Sequence, residues 1–370
     1  MNHNQSIADL ALPGVQKLVP YTPGKPVEEL ERELGIKNIV KLASNENPLG
    51  TSPKVSQAIQ SAIPELTRYP DGNGFTLKTA LANKHGVDIS QITLGNGSNE
   101  ILELVARTFL APEHEVIFSQ HAFAVYPLVT QAVGAKANVA PAKNYAHDLD
   151  AMLARVTDRT RLVFIANPNN PTGTLLKAEV LEQFIASLPA TVLCVVDEAY
   201  YEYVVPESRA DSVSWLEKYP NLLITRTFSK AYGLAGLRVG YSLSSPEMAD
   251  MLNRVRQPFN NNSLALVAAE TALSDTDYLN ETLAVNKQGM QQLTQAFKKL
   301  GLEWIPSFGN FVSVNLKQDA DKFYHALLHK GVIVRPVANY EMPEFLRVSI
   351  GTEAENNLFI QALTEVLQDD

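Results

Sequence analysis

Three runs in the middle of the chain are apolar almost without interruption: residues 162–166 (LVFIA), 191–196 (TVLCVV) and 221–224 (NLLI). A strand with one wet face alternates apolar and polar residues. These do not, so they need apolar cover on both sides. A helix-like segment over 177–188 separates the first two, long enough for a crossover between parallel strands. This pattern predicts an α/β fold: a large domain whose mostly parallel sheet carries helices on both faces. Ligands of such sheets bind just past the carboxyl ends of the strands.

Unusual polar residues stand at those ends. Residues 92–94 and 115–119 read as further strands. They lead into Ser98 in GNGSNE and Phe123 in HAFAVYP. Asn170 follows 162–166 in NPNNPTG, Asp197 and Tyr200 follow 191–196 in DEAY, and Ser229 and Lys230 follow 221–224. A lysine at the end of a buried strand is poorly hydrated. That disfavours its charged form and makes it a usable nucleophile for Schiff-base chemistry with a carbonyl. Ser229 and Arg238 are suited to a phosphate, and so are the backbone N–H groups of the helix expected after GNGS. The same glycines do not complete a dinucleotide fingerprint, because Glu100 stands where the third glycine belongs. Together these features point to a phosphorylated aldehyde cofactor, pyridoxal phosphate. Its ring nitrogen needs a buried carboxylate, which Asp197 can be, although an aspartate there can also cap a helix. Asn170 and Tyr200 can donate to its ring oxygen, and Phe123 can be core or can stack on the ring.

The chain has 370 residues, which suits two domains or one domain with a lobe. Residues 1–40 read as an N-terminal arm, extended over 18–26, plus part of a small domain. Residues 41–263 read as the large cofactor-binding domain. After 258–262 the pattern changes to a long helical stretch over about 264–300, strands at 311–316, 332–335 and 346–350, and a helix over 320–330. Residues 264–370 are therefore expected to form a smaller α+β domain.

The net charge is −9 and there is no basic block, so nucleic acid is not an expected partner. No apolar run approaches a membrane span and the N-terminus does not read as a secretory signal, so a cytoplasmic protein is expected. The single cysteine, Cys194, lies in an apolar run and reads as core. His325 and His329 are spaced for one helix face, but no third ligand follows, so no metal site is expected.

In this order, SNENPLG, RYPDG, GNGSNE, NPNNPTG, DEAY and TFSKAYGLAGLRVGY resemble the fold-type I pyridoxal-phosphate aminotransferases over residues 41–351. Within that family the chain is most similar to the histidinol-phosphate aminotransferases. The resemblance implies that Lys230 carries the cofactor and shuttles the proton, with Asp197 on its ring nitrogen. It implies Asn170 and Tyr200 on the ring oxygen, Phe123 stacked on the ring, and Ser98, Asn99, Ser229 and Arg238 on the phosphate. It further implies a homodimer in which Tyr69 and Tyr21 are contributed across the interface. Arg347 would pair with the substrate anion, with Asn170 beside it and with Arg335 and Tyr21 as a second phosphate clamp. The implied substrates are histidinol phosphate and glutamate or 2-oxoglutarate. An aromatic aminotransferase, a phospho-amino-acid decarboxylase and a non-catalytic ligand sensor are the rival readings. The chain departs from the family's usual Pro-Thr or Pro-Ser before the aromatic and carries His121-Ala122 instead. Asn99 stands where many members have Asp.

Overall fold

Seven strands build the large sheet: β1 Ile92–Gly95, β2 Glu115–Ser119, β3 Lys136–Ala140, β4 Thr160–Ala166, β5 Leu193–Asp197, β6 Leu222–Thr227 and β7 Gly240–Ser244. Their order in space is β1-β7-β6-β5-β4-β2-β3. This computed structural model describes residues 6–21 and 23–368. Thr22 of the expected arm, residues 1–5 and residues 369–370 lie outside the described residues. The remainder of 18–26 forms no helix or strand, as expected.

The apolar runs are explained by which face each residue meets. Val163, Ile165, Cys194, Val196, Leu222 and Ile224 enter one core cluster, whereas Leu162, Phe164, Val195 and Leu223 enter another. Successive residues point to opposite faces, and both faces are dry. Each such aliphatic or aromatic side chain contributes roughly 1.5–3 kcal/mol by leaving water.

Strand pairs β2–β3, β2–β4, β4–β5 and β5–β6 are parallel. Strand β7 runs antiparallel to both β1 and β6. The chain turns straight back from Thr227 to Gly240, so no crossover helix is needed there. Strand β3 has no signature in the sequence, because it is a half-exposed edge strand without an apolar run.

The helical stretch expected over 264–300 is two helices, Ser263–Ser274 and Thr276–Lys299. Asp275 breaks it. Its carboxylate accepts from the Ser52 hydroxyl and, at 2.7 Å, from Lys54 Nζ. The first helix presents Ala265, Ala268, Ala269 and Ala272 to the large-sheet core. That spacing is one helix face.

The smaller domain contains an antiparallel sheet of β8 Glu303–Ile305, β9 Phe311–Asn315, β10 Arg335–Pro336 and β11 Phe345–Ser349, in the order β8-β9-β11-β10. The strand expected at 332–335 divides between two sheets. Val332–Ile333 pairs in parallel with Val40–Lys41, and Arg335–Pro336 pairs with β11. That register sets Arg335 directly opposite Arg347. Among the described residues no helix is long and apolar enough to cross a membrane.

Candidate active site

A cavity of about 320 Å³ opens beyond the carboxyl ends of β4, β5 and β6, a volume at the small end for ligand sites. Ser98, Asn99, Ser229 and Arg238 line one part of it. Strand β1 leads through Gly97 into the helix Ser98–Phe109, whose first N–H groups have no partner within the helix. Gly97 has φ 79°, and a Cβ there would come within 2.6 Å of Arg238 Nη2. A Cβ on Gly240 would come within 2.5 Å of the Ser98 nitrogen. Only glycine at these two positions lets the arginine and the helix start close around a small space. Arg238 itself adopts φ 56°, so the backbone is in the left-handed region where it leaves the turn.

Asp197 ends β5 with its side chain buried. In the sheet register it faces Thr225, whose hydroxyl donates to Oδ1 at 2.9 Å. The Tyr126 hydroxyl donates to Oδ2 at 2.9 Å. Burial pushes the Asp197 carboxyl up, and the Thr225 and Tyr126 bonds partly offset that. Tyr126 lies flat on Phe164, with centroids 4.6 Å apart and planes 5° apart, and Phe123 meets its ring edge-on at 5.8 Å. Phe123 also lines the cavity.

Lys230 Nζ donates to the Ser44 carbonyl at 3.1 Å and lies 6.0 Å from the centre of the Tyr200 ring. Burial lowers its pKa to about 8, with the Arg347 charge the next cause. A substantial fraction of the amine is therefore neutral near pH 7–8, as a nucleophile or proton carrier requires.

Arg347 is buried on β11. Its Nη1 donates to Asn170 Oδ1 at 2.6 Å and its Nη2 to the Ala43 carbonyl at 2.6 Å, while Nε has no partner. With Oδ1 engaged, the amide nitrogen of Asn170 is left to donate. The Tyr200 hydroxyl accepts from Asn45 Nδ2 at 2.9 Å, which leaves its own proton to donate. Burial pushes the Tyr200 phenol up to about 12, so it is protonated at neutral pH. Arg335 lies over the Tyr21 ring at 5.7 Å, and both residues line the cavity.

Thus the chain brings together every expected site residue except Tyr69. That side chain is 83% exposed and stacks on Phe259 at 4.7 Å, away from the cavity. Tyr21 is a correction: it lines the cavity of its own chain, because the arm folds back over β10, and does not need a second subunit to reach it. His325 turns to Asp321, with Nε2 3.4 Å from Oδ2. Cys194 is fully buried, as expected.

Sequence reasoning missed Tyr126, Thr225 and Asn45. Thr225 was findable, since it stands at the end of an apolar strand next to the strand of Asp197. Asn45 adopts φ 53°, a region asparagine tolerates, and its polar turn was the only signal. Tyr126 had none, because its role depends on a contact 71 residues away.

The aminotransferase class I and II family matches residues 37–363. The chain is 63% identical over 360 residues to histidinol-phosphate aminotransferase 2 of Pseudomonas fluorescens, covering 97% of each chain. It is 58% identical to histidinol-phosphate aminotransferase 1 of Nitrosococcus oceani, covering 97% of each. Among solved structures, the histidinol-phosphate aminotransferase of Sinorhizobium meliloti in complex with pyridoxal-5'-phosphate superposes with a TM-score of 0.90. It shows 32% identity over 96% of this chain and 97% of that one.

Proposed function

Since the chain belongs to the aminotransferase class I and II family, we propose that it moves the amino group of histidinol phosphate to 2-oxoglutarate. The products are imidazole-acetol phosphate and glutamate, a step of histidine biosynthesis, and the cofactor is pyridoxal 5'-phosphate. The residues present fit that cofactor. The close approach at Gly97 and Gly240 gathers the helix-start N–H groups and Arg238, and Ser229 lines the same cavity. The Asp197 carboxylate keeps lone pairs beyond the two bonds it accepts.

In this reading Ser98, Asn99, Ser229 and Arg238 hold the phosphate, and Asp197 faces the ring nitrogen. Asn170 and Tyr200 donate to the ring oxygen, Phe123 covers the ring and Lys230 is the point of attachment. When bound, the cofactor supplies an electron sink for the pair left on a substrate carbon that loses its proton. Lys230 Nζ takes that proton and returns it, a role its lowered pKa suits. Tyr126 and Thr225 orient the Asp197 carboxylate and keep it charged.

The observation that carries the substrate reading is Arg347, buried with its Nε unpaired and aligned with Arg335 on the neighbouring strand. The guanidinium has N–H groups beyond its bonds to Asn170 and Ala43, and its planar fork can grip an anion. The phosphate of histidinol phosphate and a carboxylate of 2-oxoglutarate can each serve in turn.

A half-reaction tests this. The cofactor-loaded protein is mixed with histidinol phosphate, phenylalanine or glutamate, with no oxo acid, and the visible cofactor band is followed. Bleaching by histidinol phosphate at concentrations well below those of phenylalanine is expected. Bleaching by phenylalanine alone would make this an aromatic aminotransferase.

The assembly belongs to the same proposal. Tyr69 and Phe259 form an exposed aromatic pair (83% and 45%) that does not serve its own cavity. A homodimer in which Tyr69 reaches the cofactor phosphate of the second subunit gives the pair a purpose. The boundary expected at 263 and 264 is moved in this proposal to near Asp275, because the helix Ser263–Ser274 packs on the large-sheet core. A cytoplasmic location is part of the same proposal, and the biosynthetic role supports it.

A further inference from the structure

The segment just after β2 is tied in two directions. On one side, Asn169 Nδ2 donates to the His121 carbonyl at 3.1 Å, joining His121 to the loop that carries Asn170. On the other, His121 Nδ1 lies 2.6 Å from the Tyr340 carbonyl of the small domain. A carbonyl oxygen has no proton to give, so the imidazole is the donor and Nδ1 carries hydrogen. One more bond crosses beside it: the Gln120 amide donates to the Glu341 carboxylate. The His121 ring also leans on Tyr145 at 5.8 Å, and Tyr145 meets Phe345 edge-on at 5.2 Å.

What lies at the two ends of these bonds gives them a function. Phe123 sits between His121 and Ala124 and lines the cavity. The turn Ala338–Tyr340 lies between β10, which carries Arg335, and β11, which carries Arg347. His121 adopts φ 58°, in the left-handed region that histidine, like asparagine and aspartate, enters more often than other non-glycine residues. The backbone holds this conformation while the His121 ring bonds to the small domain.

We propose that His121 is a positioning residue for the substrate's anionic group. By holding the Tyr340 carbonyl it fixes the turn between the two arginine strands against the edge of the large domain, and so sets the affinity for phosphate and carboxylate. The inference rests on the reading of Arg335 and Arg347 as the anion ligands. It also gives a use to the His121-Ala122 pair, where the chain departs from the pattern it otherwise resembles.

Two variants separate the bond from the backbone. His121→Gly and His121→Asn both tolerate a positive φ. Only asparagine keeps a donor, because its Nδ2 stands where the imidazole has Nδ1. For His121→Gly, the KM for histidinol phosphate and for 2-oxoglutarate is expected to rise about tenfold, the effect of one lost hydrogen bond. Its kcat and cofactor content stay near those of the parent, and His121→Asn restores the KM values. Hydrogen exchange, measured without substrate, should show the amides of residues 338–342 opening about tenfold faster in His121→Gly alone.

Equal behaviour of the two variants in both measurements overturns the proposal. So does a loss that falls on cofactor binding or on kcat in place of KM. A parent enzyme that ignores histidinol phosphate overturns the substrate reading instead, and the exchange comparison still decides whether His121 holds the turn.

Discussion

The Tyr126 hydroxyl and the Asp197 carboxylate meet at 2.9 Å, and the Tyr126 ring is locked flat on Phe164 behind them. Burial alone would drive the Asp197 carboxyl up towards neutrality; the Tyr126 and Thr225 bonds hold it back. Tyr126→Phe keeps the stacking and removes one of those bonds. The carboxyl should then rise further, the acid limb of the pH–rate profile should move to higher pH, and kcat should fall roughly tenfold. Steady-state rates between pH 5 and 9 check this, with cofactor content as the control.

Lys230 has a folded-state pKa of about 8, below its ordinary value of 10.5, chiefly through burial. Its charge is therefore penalised in the fold and not in the unfolded chain. That penalty is complete below about pH 8 and fades as the pH rises towards 10.5. Lys230→Met should stabilise the cofactor-free protein at pH 7 by roughly 2–3 kcal/mol, and the gain should vanish near pH 10.5. Urea unfolding at several pH values measures it. In the parent protein, capture of pyridoxal phosphate should quicken up to about pH 8 and then level off, as followed by the visible band.

Arg347 is held by two bonds, to Asn170 and to the Ala43 carbonyl, and keeps further N–H groups for an anion. A lysine is a point charge without the planar fork. Arg347→Lys should raise the KM for both substrates by roughly a hundredfold, within the range for losing a buried charge-assisted contact. Steady-state kinetics with each substrate varied in turn would show it. A change confined to kcat would count against the anion role.

Tyr69 is expected to work in the partner's site. Tyr69→Phe and Lys230→Ala should each lower activity in separate homodimers. Mixed subunits place both defects in one site and leave the other intact. Activity recovered on unfolding and refolding the two variants together is the expected outcome; no recovery would mean that each chain is self-sufficient.

Asp275 is buried between two helices. Burial raises its carboxyl, but the bonds from Lys54 and Ser52 outweigh that, and the net shift is downward. Its contribution to stability is therefore present above the unfolded carboxylate range and is lost as the pH falls through its lowered value. Asp275→Ala should cost about 1–3 kcal/mol at pH 7, and less in acid. Urea midpoints at pH 7 and in acid, compared with the parent, provide the test.

The site was legible to different depths. Lys230, Asp197, Asn170 and Tyr200 were readable because each stands at the end of an apolar run, where a sheet of this kind binds ligands. Strand β3 was not, because an edge strand needs cover on fewer sides and carries no apolar run. The break at Asp275 had a local signal in Ser274, Thr276 and Asp277, which favour caps over helix interiors, but its reason, the Ser52 and Lys54 bonds, lies over 200 positions away.

By itself the sequence determined the layered α/β fold, the strand ends that face the ligand and the residue types gathered there. Burial on both faces and the needs of the chemistry both leave local marks in a chain. The tertiary structure alone decided the pairings: Tyr126 with Asp197 across 71 positions, Arg347 with Asn170 across 177, and His121 with Tyr340 across 219. Local periodicity reports which face a residue turns to, not which distant residue it meets. That partner is chosen only when strand order, register and the docking of the small domain bring the two together.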